Sequence, residues 1–334
     1  MQRVLVTGGA GFIGAHLVRA LVRRGHAVRV LDDMSAGTAE NLSRALDVPL
    51  PAVREALGTA RARWVRLADG CEARIGDVRD TATAADAAGG VHAILHQAAL
   101  RSVSRSLADP LRTHEVNMTG TLNVLEAARQ AGVRRVVVAS SSSVYGDTDL
   151  PKHEGQLPQP KSPYGAAKLA AEAYCQAYAR AFGLSTIALR YFNVFGPWQD
   201  PSSEYAAVIP KFIRLAMQGE PLPVHGDGEQ SRDFTYVENV VDANLAAMDA
   251  DASAIALNIG TGTRCTLRAL IEQIGHILGR SVECTYGPSR PGDVQHSEAD
   301  ITLAARTIGY VPRVDMAAGL RRTIESMQPA PTRM

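Results

Sequence analysis

The residues with the clearest chemical potential are a tyrosine and a lysine four positions apart. In Ser162-Pro163-Tyr164-Gly165-Ala166-Ala167-Lys168 the spacing puts Tyr164 and Lys168 on one helix face, with Pro163 near the start of a helix that runs to about Phe182. An ammonium beside a phenol, with any further positive charge that a bound cofactor brings, favours phenolate. The tyrosine pKa is therefore expected to fall from about 10 toward working pH, which would make Tyr164 a general base toward a hydroxyl. Upstream, Ser140-Ser141-Ser142-Ser143 closes an apolar run, so a serine hydroxyl stands where it can share a substrate proton with the tyrosine. Tyr-x-x-x-Lys on its own is also an ordinary helix pair. Its weight comes from what surrounds it.

The second chemical feature is Thr7-Gly8-Gly9-Ala10-Gly11-Phe12-Ile13-Gly14, which follows an apolar strand directly and opens a helix. Gly8 permits a tight turn, Gly11 lets the backbone approach a pyrophosphate, and Gly14 allows close packing of helix on sheet. The helix N-terminus then presents free N–H groups and a positive dipole end to phosphate. Asp32, 18 residues beyond Gly14, can accept hydrogen bonds from ribose hydroxyls. With Asp33 beside it and no basic residue before Arg44, a 2′-phosphate would meet like charge, so NAD is expected over NADP. Asp77 and Val78 stand where a third strand should end, beside the adenine. A plain loop or cap role is the alternative for that aspartate.

These groups need a scaffold, and the alternation of apolar runs with amphipathic segments supplies one: an α/β, doubly wound parallel sheet with a smaller C-terminal lobe. Strands are expected at Arg3 to Thr7, Ala27 to Leu31, near Arg74 to Ile75, His92 to His96, Arg135 to Ser140 and Ser185 to Arg190. The stretch from Ser35 to Arg66 is read as a helical insertion plus loop, interrupted by Pro49, Pro51 and Gly58. Residues 1–190 are expected to form the dinucleotide domain and 191–327 mainly the substrate lobe, with some segments returning to the first; 328–334 form a frayed tail.

Composition narrows the function classes. Lys and Arg total 35 against 34 Asp and Glu, and a net charge of +1 leaves no broad basic face for nucleic acid or an anionic membrane. No apolar run approaches the roughly 20 residues that span a bilayer, and Met1 leads into a strand pattern without a basic segment and cleavage site. A cytoplasmic enzyme is expected. Cys71, Cys175, Cys265 and Cys284 are far apart, so reduced structural thiols and no metal site are expected.

Five motifs in order are recognisable: residues 7–14 above, His-Gln-Ala-Ala at 96–99, Ser-Ser-Ser-Val-Tyr-Gly at 141–146, Tyr-Gly-Ala-Ala-Lys at 164–168 and Arg-Tyr-Phe-Asn-Val-Phe-Gly-Pro at 190–197. Over nearly its whole length the chain resembles the extended short-chain dehydrogenase/reductases, with their Rossmann-like fold, and among them the UDP-hexose 4-epimerases. The resemblance implies Ser141, Tyr164 and Lys168 as the catalytic set, and Ser140, Ala98, Ala99, Arg101, Asn117 and Tyr191 along NAD beside the glycine motif and the acids. It implies Ser102, Ser142, Ser143, Asn193, Gln199, Val208, Val224, His225, Arg232, Arg290, Asp293 and Ser297 on the UDP-sugar, the arginines facing the diphosphate and Asp293 the ribose. It also implies a homodimer, through helices at Leu111 to Ala131 and Tyr164 to Phe182.

Segments at 96–106, 199–211 and 292–297 look like the bacterial UDP-N-acetylglucosamine 4-epimerases of surface-polysaccharide pathways. Where a serine stands at 297, epimerases restricted to glucose and galactose resemble one another in carrying a bulky tyrosine, so Ser297 is expected to leave room for an N-acetyl group. Arg101-Ser102 departs from that pattern, in which glycine precedes the serine. The expected cycle is removal of the O4 proton by Tyr164 through or beside Ser141, hydride transfer from C4 to NAD, turnover of the ring and return of hydride to the other face. Ser142 and Ser143 occupy positions where related dehydratases carry an Asp-Glu pair, which argues against elimination. UDP-glucose or UDP-glucuronate 4-epimerisation, and a non-catalytic NAD-binding role, are the alternatives.

Overall fold

The computed structural model describes residues 1–61, 63–201, 207–288 and 295–328. Short apolar runs rich in Val, Ile, Leu and Ala form strands that helices cover on both sides: β1 (Arg3–Thr7), β2 (Ala27–Asp32), β3 (Val65–Ala68), β4 (Cys71–Ile75), β5 (Ala93–His96), β6 (Arg135–Ser141) and β7 (Ser185–Tyr191). All seven residues of β6 are buried, as a strand sandwiched between helices requires. Together with Ile255–Ile259 they make an eight-stranded sheet in the order Ile255–Ile259, β7, β6, β5, β1, β2, β4, β3. Every pair is parallel except β3 with β4. Strand order reverses between β1 and β5, paired from Val4↔Ala93 to Thr7↔His96, and ligands of such sheets bind in the crevice beyond those strand ends.

The doubly wound, Rossmann-like architecture is therefore as expected, with two differences. The stretch after Ser35 holds helices Ala39–Leu46 and Leu50–Gly58, but then forms β3, which turns back on β4 through Asp69-Gly70. Ala68 pairs with Cys71, and Gly70 takes φ +74°. Asp-Gly between alternating residues is a strong hairpin signal, and it was there to be read. The second difference concerns the lobe. Ile255–Ile259 pairs with β7 from Ile255↔Ile187 to Ile259↔Tyr191, and Val240 and Leu245 of helix Val237–Asp249 enter the main core. Much of 237–259 thus belongs to the sheet.

The lobe proper packs helices Val208–Gln218, Leu267–Leu278 and Met316–Met327 around the parallel pair Leu222–His225 and Cys284–Gly287. Its core contains Phe212, Ile213, Leu270, Ile274 and Leu320, and Phe12 and Ile13 of helix α1 (Phe12–Arg23) pack against it. The first turn of α1 therefore touches both halves of the molecule. Among the described residues no helix is long and apolar enough to cross a membrane.

Candidate active site

The crevice at the ends of β1 and β5 is shaped by missing side chains. Gly8 has φ +67°, and a Cβ on it would stand 2.7 Å from the Ala98 nitrogen; one on Gly14 would stand 2.0 Å from the Gly8 oxygen. Gly11 caps α1 without a side-chain acceptor, and the first turn carries no acid, so its N–H groups face the crevice with the helix dipole behind them. Asp32 is buried beneath this loop, its Oδ2 accepting from Ala10 N at 2.9 Å and its Oδ1 from Met34 N at 2.9 Å. Burial pushes its carboxyl up to about 6 against those hydrogen bonds. Each oxygen keeps a further acceptor site for a ribose hydroxyl. A Cβ on Gly37 would meet Oδ1 at 2.6 Å, so the chain leaves a cradle around this acid. These residues fit a dinucleotide. Asp33 is exposed and accepts from Ser35 N and Oγ, whereas Asp77, at the crevice edge, is paired with Arg79 at 2.7 Å. Val78 is buried against Gly120.

Ala98 and Ala99 line the same crevice, on a loop held from below. Asn117 is fully buried in a single π-helical stretch, Glu115–Thr119, and spends its amide on Leu100: Oδ1 accepts from Leu100 N at 2.7 Å and Nδ2 donates to Leu100 O at 2.9 Å. It thus holds the cofactor loop. Behind it, His96 Nδ1 lies 2.7 Å from Thr7 Oγ1 and Nε2 3.0 Å from Thr121 Oγ1. Thr121 gives its only proton to Asn117 O, so its oxygen accepts from His96, which is therefore the neutral Nε2–H tautomer. Burial, then the charge of Lys168, pushes this imidazole down to about 3.

The catalytic candidates meet at the end of β6. Ser162 Oγ accepts from Gly165 N at 3.1 Å and starts helix Pro163–Phe182. A Cβ on Gly165 would stand 2.6 Å from Ser143 O, so glycine lets the helix close on the strand end. Tyr164 is thereby brought near Ser141, which lowers the phenol's pKa, and Ser141 Oγ lies 3.1 Å from both Ser143 N and Ser143 Oγ. Ser142 and Ser143 lie in the short turn Ser142–Val144. Lys168 is buried, with Nζ donating to Ala139 O at 2.8 Å and standing 6.0 Å from the Tyr164 ring centre.

The chain's own groups do not by themselves favour the phenolate. The phenol's pKa is raised by burial, with Ser141 and the charge of Arg101 opposing. A low-dielectric seat disfavours phenolate more strongly than a lysine tied to a carbonyl can favour it. Burial also pushes Lys168 down to about 8, while Glu172 holds it up.

Glu172, one turn beyond Lys168, was not singled out in the sequence. It is buried, receives Ser140 Oγ, and is bridged by Arg190 through Nε at 3.0 Å and Nη2 at 2.7 Å. Arg190 Nη1 also donates to Tyr145 Oη at 2.8 Å, which donates to Asn258 Oδ1 at 2.7 Å. Its four-residue spacing from Lys168 and an arginine inside an apolar strand were the available signals. Tyr191, also buried, shares its hydroxyl with Asn244 at 2.8 Å and Gln97 at 3.2 Å.

On the sugar side, Asn193 Nδ2 donates to Ser297 Oγ at 3.3 Å, and Ser297 is 7 % exposed. Ser102 takes φ +95°, a left-handed conformation costly for a non-glycine residue, while capping Val103–Ala108. Val208 begins its helix half-buried, and His225 Nδ1 lies 3.3 Å from Pro288 O. Arg232 Nη1 donates to Ser231 O and Gln295 O at 3.0 Å each. Gln199 is buried with Nε2 on Val194 O at 3.3 Å. Val224 is a correction: it is 1 % exposed in the lobe core, turned away from any ligand because strand alternation points it opposite His225. Arg290 and Asp293 lie outside the described residues, as do parts of the 199–211 and 292–297 segments.

Comparison with known proteins agrees with this geometry. Residues 4–260 match the NAD dependent epimerase/dehydratase family. The chain is 38 % identical over 326 residues to the UDP-glucose 4-epimerase of Mycolicibacterium smegmatis, covering 97 % of this chain and 98 % of that one. It superposes with a TM-score of 0.88 at 36 % identity, with 97 % of each chain covered, on the UDP-N-acetylglucosamine 4-epimerase of Methanobrevibacter ruminantium solved with UDP-N-acetylmuramic acid. It superposes at 0.83 and 34 % identity, covering 97 % of this chain and 98 % of the other, on the Thermus thermophilus UDP-glucose 4-epimerase solved with NAD.

Proposed function

The chain belongs to the NAD-dependent epimerase/dehydratase family, and from that premise we propose that it inverts C4 of UDP-hexoses, with UDP-N-acetylglucosamine and UDP-N-acetylgalactosamine as the preferred pair. That it is an NAD-dependent UDP-hexose 4-epimerase rests on one observation above others. Ser141, Tyr164 and buried Lys168 meet at the end of β6, with the Lys168 ammonium 6.0 Å from the Tyr164 ring centre, in a fold that carries a glycine-built dinucleotide crevice. Bound NAD supplies a hydride acceptor for C4 that can also return the hydride. The chain's own residues manage the proton: Tyr164 takes it from O4, Ser141 bridges sugar and phenol, and Lys168 holds the tyrosine's surroundings positive. Because burial raises the phenol's pKa, the base is strong once ionised; the charge of Arg101 favours ionisation, and an oxidised nicotinamide, when bound, would add to it. Arg232, with Arg290 and Asp293, is assigned to holding UDP while the hexose turns over.

The preference for the N-acetylated pair is supported by Ser297, small, shielded and hydrogen-bonded to Asn193. The likeness to the Methanobrevibacter enzyme favours the same reading, whereas the Mycolicibacterium name favours the plain hexose. Side-by-side turnover of the N-acetylated, plain and uronic UDP-sugar pairs decides among them. A higher kcat/KM for the plain pair overturns the preference, and no C4 inversion of any pair overturns the epimerase. The product would supply an N-acetylhexosamine donor for surface polysaccharide. We further assign a homodimer, because Leu107, Leu111 and Phe182 are 62 %, 77 % and 57 % exposed near the helices named for it. A monomeric mass by light scattering refutes that assignment.

A further inference from the structure

Asp233 lies between the strand pieces Ser231–Arg232 and Thr235–Tyr236 with no solvent exposure. A buried carboxylate survives only if donors surround it, and here they do. Oδ1 accepts from Thr261 N at 2.8 Å and Thr261 Oγ1 at 2.7 Å; Oδ2 accepts from Gly262 N at 3.0 Å and Ala299 N at 3.2 Å. Gly260 closes the space, since a Cβ there would stand 2.7 Å from Oδ2 and 2.6 Å from Ala299 Cβ. The main chain of the same residue acts as well. Asp233 O accepts from Asn193 Nδ2 at 3.0 Å, and that nitrogen's other proton goes to Ser297 Oγ. Ser231 ties the near end of the strap, giving N–H to Gln295 O at 3.0 Å and receiving Ser297 N at 3.1 Å. Ser297 is thus held between the Ser231 ties on one side and the Ala299 tie on the other; Asp233 makes the second and, through its carbonyl, orients the Asn193 amide that reaches Ser297.

We propose that Asp233 is a specificity-positioning residue: it fixes the strap from Gln295 to Ala299, and with it the wall that Ser297 presents to the substituent at C2 of the hexose. The proposal rests on the reading of Ser297 as part of the sugar pocket. Among the described residues, Asp233 has no hydrogen bond with Tyr164, Ser141, Lys168 or the glycine crevice. Its influence therefore falls on how the sugar is seated, and not on proton transfer or NAD retention.

Asp233→Asn keeps the shape but replaces an acceptor by an NH2 group facing N–H donors, which releases one attachment. The expected result is a roughly tenfold rise in KM for the N-acetylated pair with a much smaller change in kcat, so that its kcat/KM ratio to the plain pair falls about tenfold. NAD content should be retained, and hydrogen exchange at the Ala299 amide should accelerate. Thr261→Val, which removes one donor and leaves the strap contact, is expected to move KM in the same direction by about threefold. It serves if the asparagine variant fails to fold. Faster exchange with an unmoved ratio, or kcat falling alike with every sugar, overturns the proposal. If the wild type does not invert the N-acetylated pair, the substrate preference fails separately. Asp233 is then judged on the inhibition constant of UDP-N-acetylglucosamine against UDP-glucose turnover, expected to rise about tenfold at constant NAD content and unchanged KM for UDP-glucose, and an unmoved inhibition constant overturns it.

Discussion

The two walls of the cleft are built by different means. The dinucleotide wall is made by exclusion: Gly8, Gly14 and Gly37 bring backbone so close that one added carbon would lie 2.0 to 2.7 Å from its neighbours. The sugar wall is made by attachment, through side-chain amides and carboxylates such as Asn193 and Asp233 that tie distant segments together. A wall built by exclusion should fail all at once when altered. One built by attachment should shift, and change selectivity before it fails.

The seam between the walls offers the largest effect. Tyr164→Phe should leave NAD and UDP-sugar binding in place while C4 inversion falls by about 10³-fold or more, measured as epimer ratio against time. Full activity would remove the phenol from the mechanism. Next, Gly14→Ala tests exclusion directly: bound NAD, read from absorbance and by extraction after gel filtration, should drop at least about 100-fold, or the protein should not fold. A normal NAD content would break the contrast. On the other wall, Ser297→Tyr should lower kcat/KM for the N-acetylated pair by about 30-fold while the plain hexose changes by less than about threefold.

The smallest expected effect is a pH shift. Lys168 has its folded pKa depressed to about 8, below the ordinary lysine value, so it loses its charge as pH rises through that region, and activity should fall there. The cost of burying the charge is paid below about pH 8 and disappears only above the ordinary lysine pKa. Glu172→Gln removes the attraction that holds the ammonium up, so the alkaline limb of kcat/KM should move to lower pH, with about a threefold loss at pH 8. A limb that stays in place would show that Glu172 serves only Arg190 and Ser140.

The same contrast explains what was legible in the sequence. The glycine motif, Asp32 and the Tyr164–Lys168 pair depend on local sterics and helical period, and these are written within a few residues. The attachments of the sugar wall are not: Asn193 meets Ser297 across 104 positions, and Asp233 meets Ala299 across 66. No spacing rule reveals such partners. Val224 was misread for a related reason, since its strand, only four residues long, gave little alternation from which to choose its buried face. Helical spacing shows that Tyr164 is near a charge but not how deeply it is seated, and within the chain alone burial raises its pKa.

The hairpin strand β3 settles how the sheet ends. Without it, β4 would expose a row of unpaired backbone groups inviting another chain to add itself. β3 is only four residues long, runs against its neighbour, and carries an irregularity in register between Arg66 and Ala68. Its outer rim is thus a poor template, and Arg66 projects an exposed charge there. β3 lies apart from the crevice that Ser35 to Gly37 help to line, so a variant lacking this hairpin strand alone should first show itself as aggregation and not as lost catalysis.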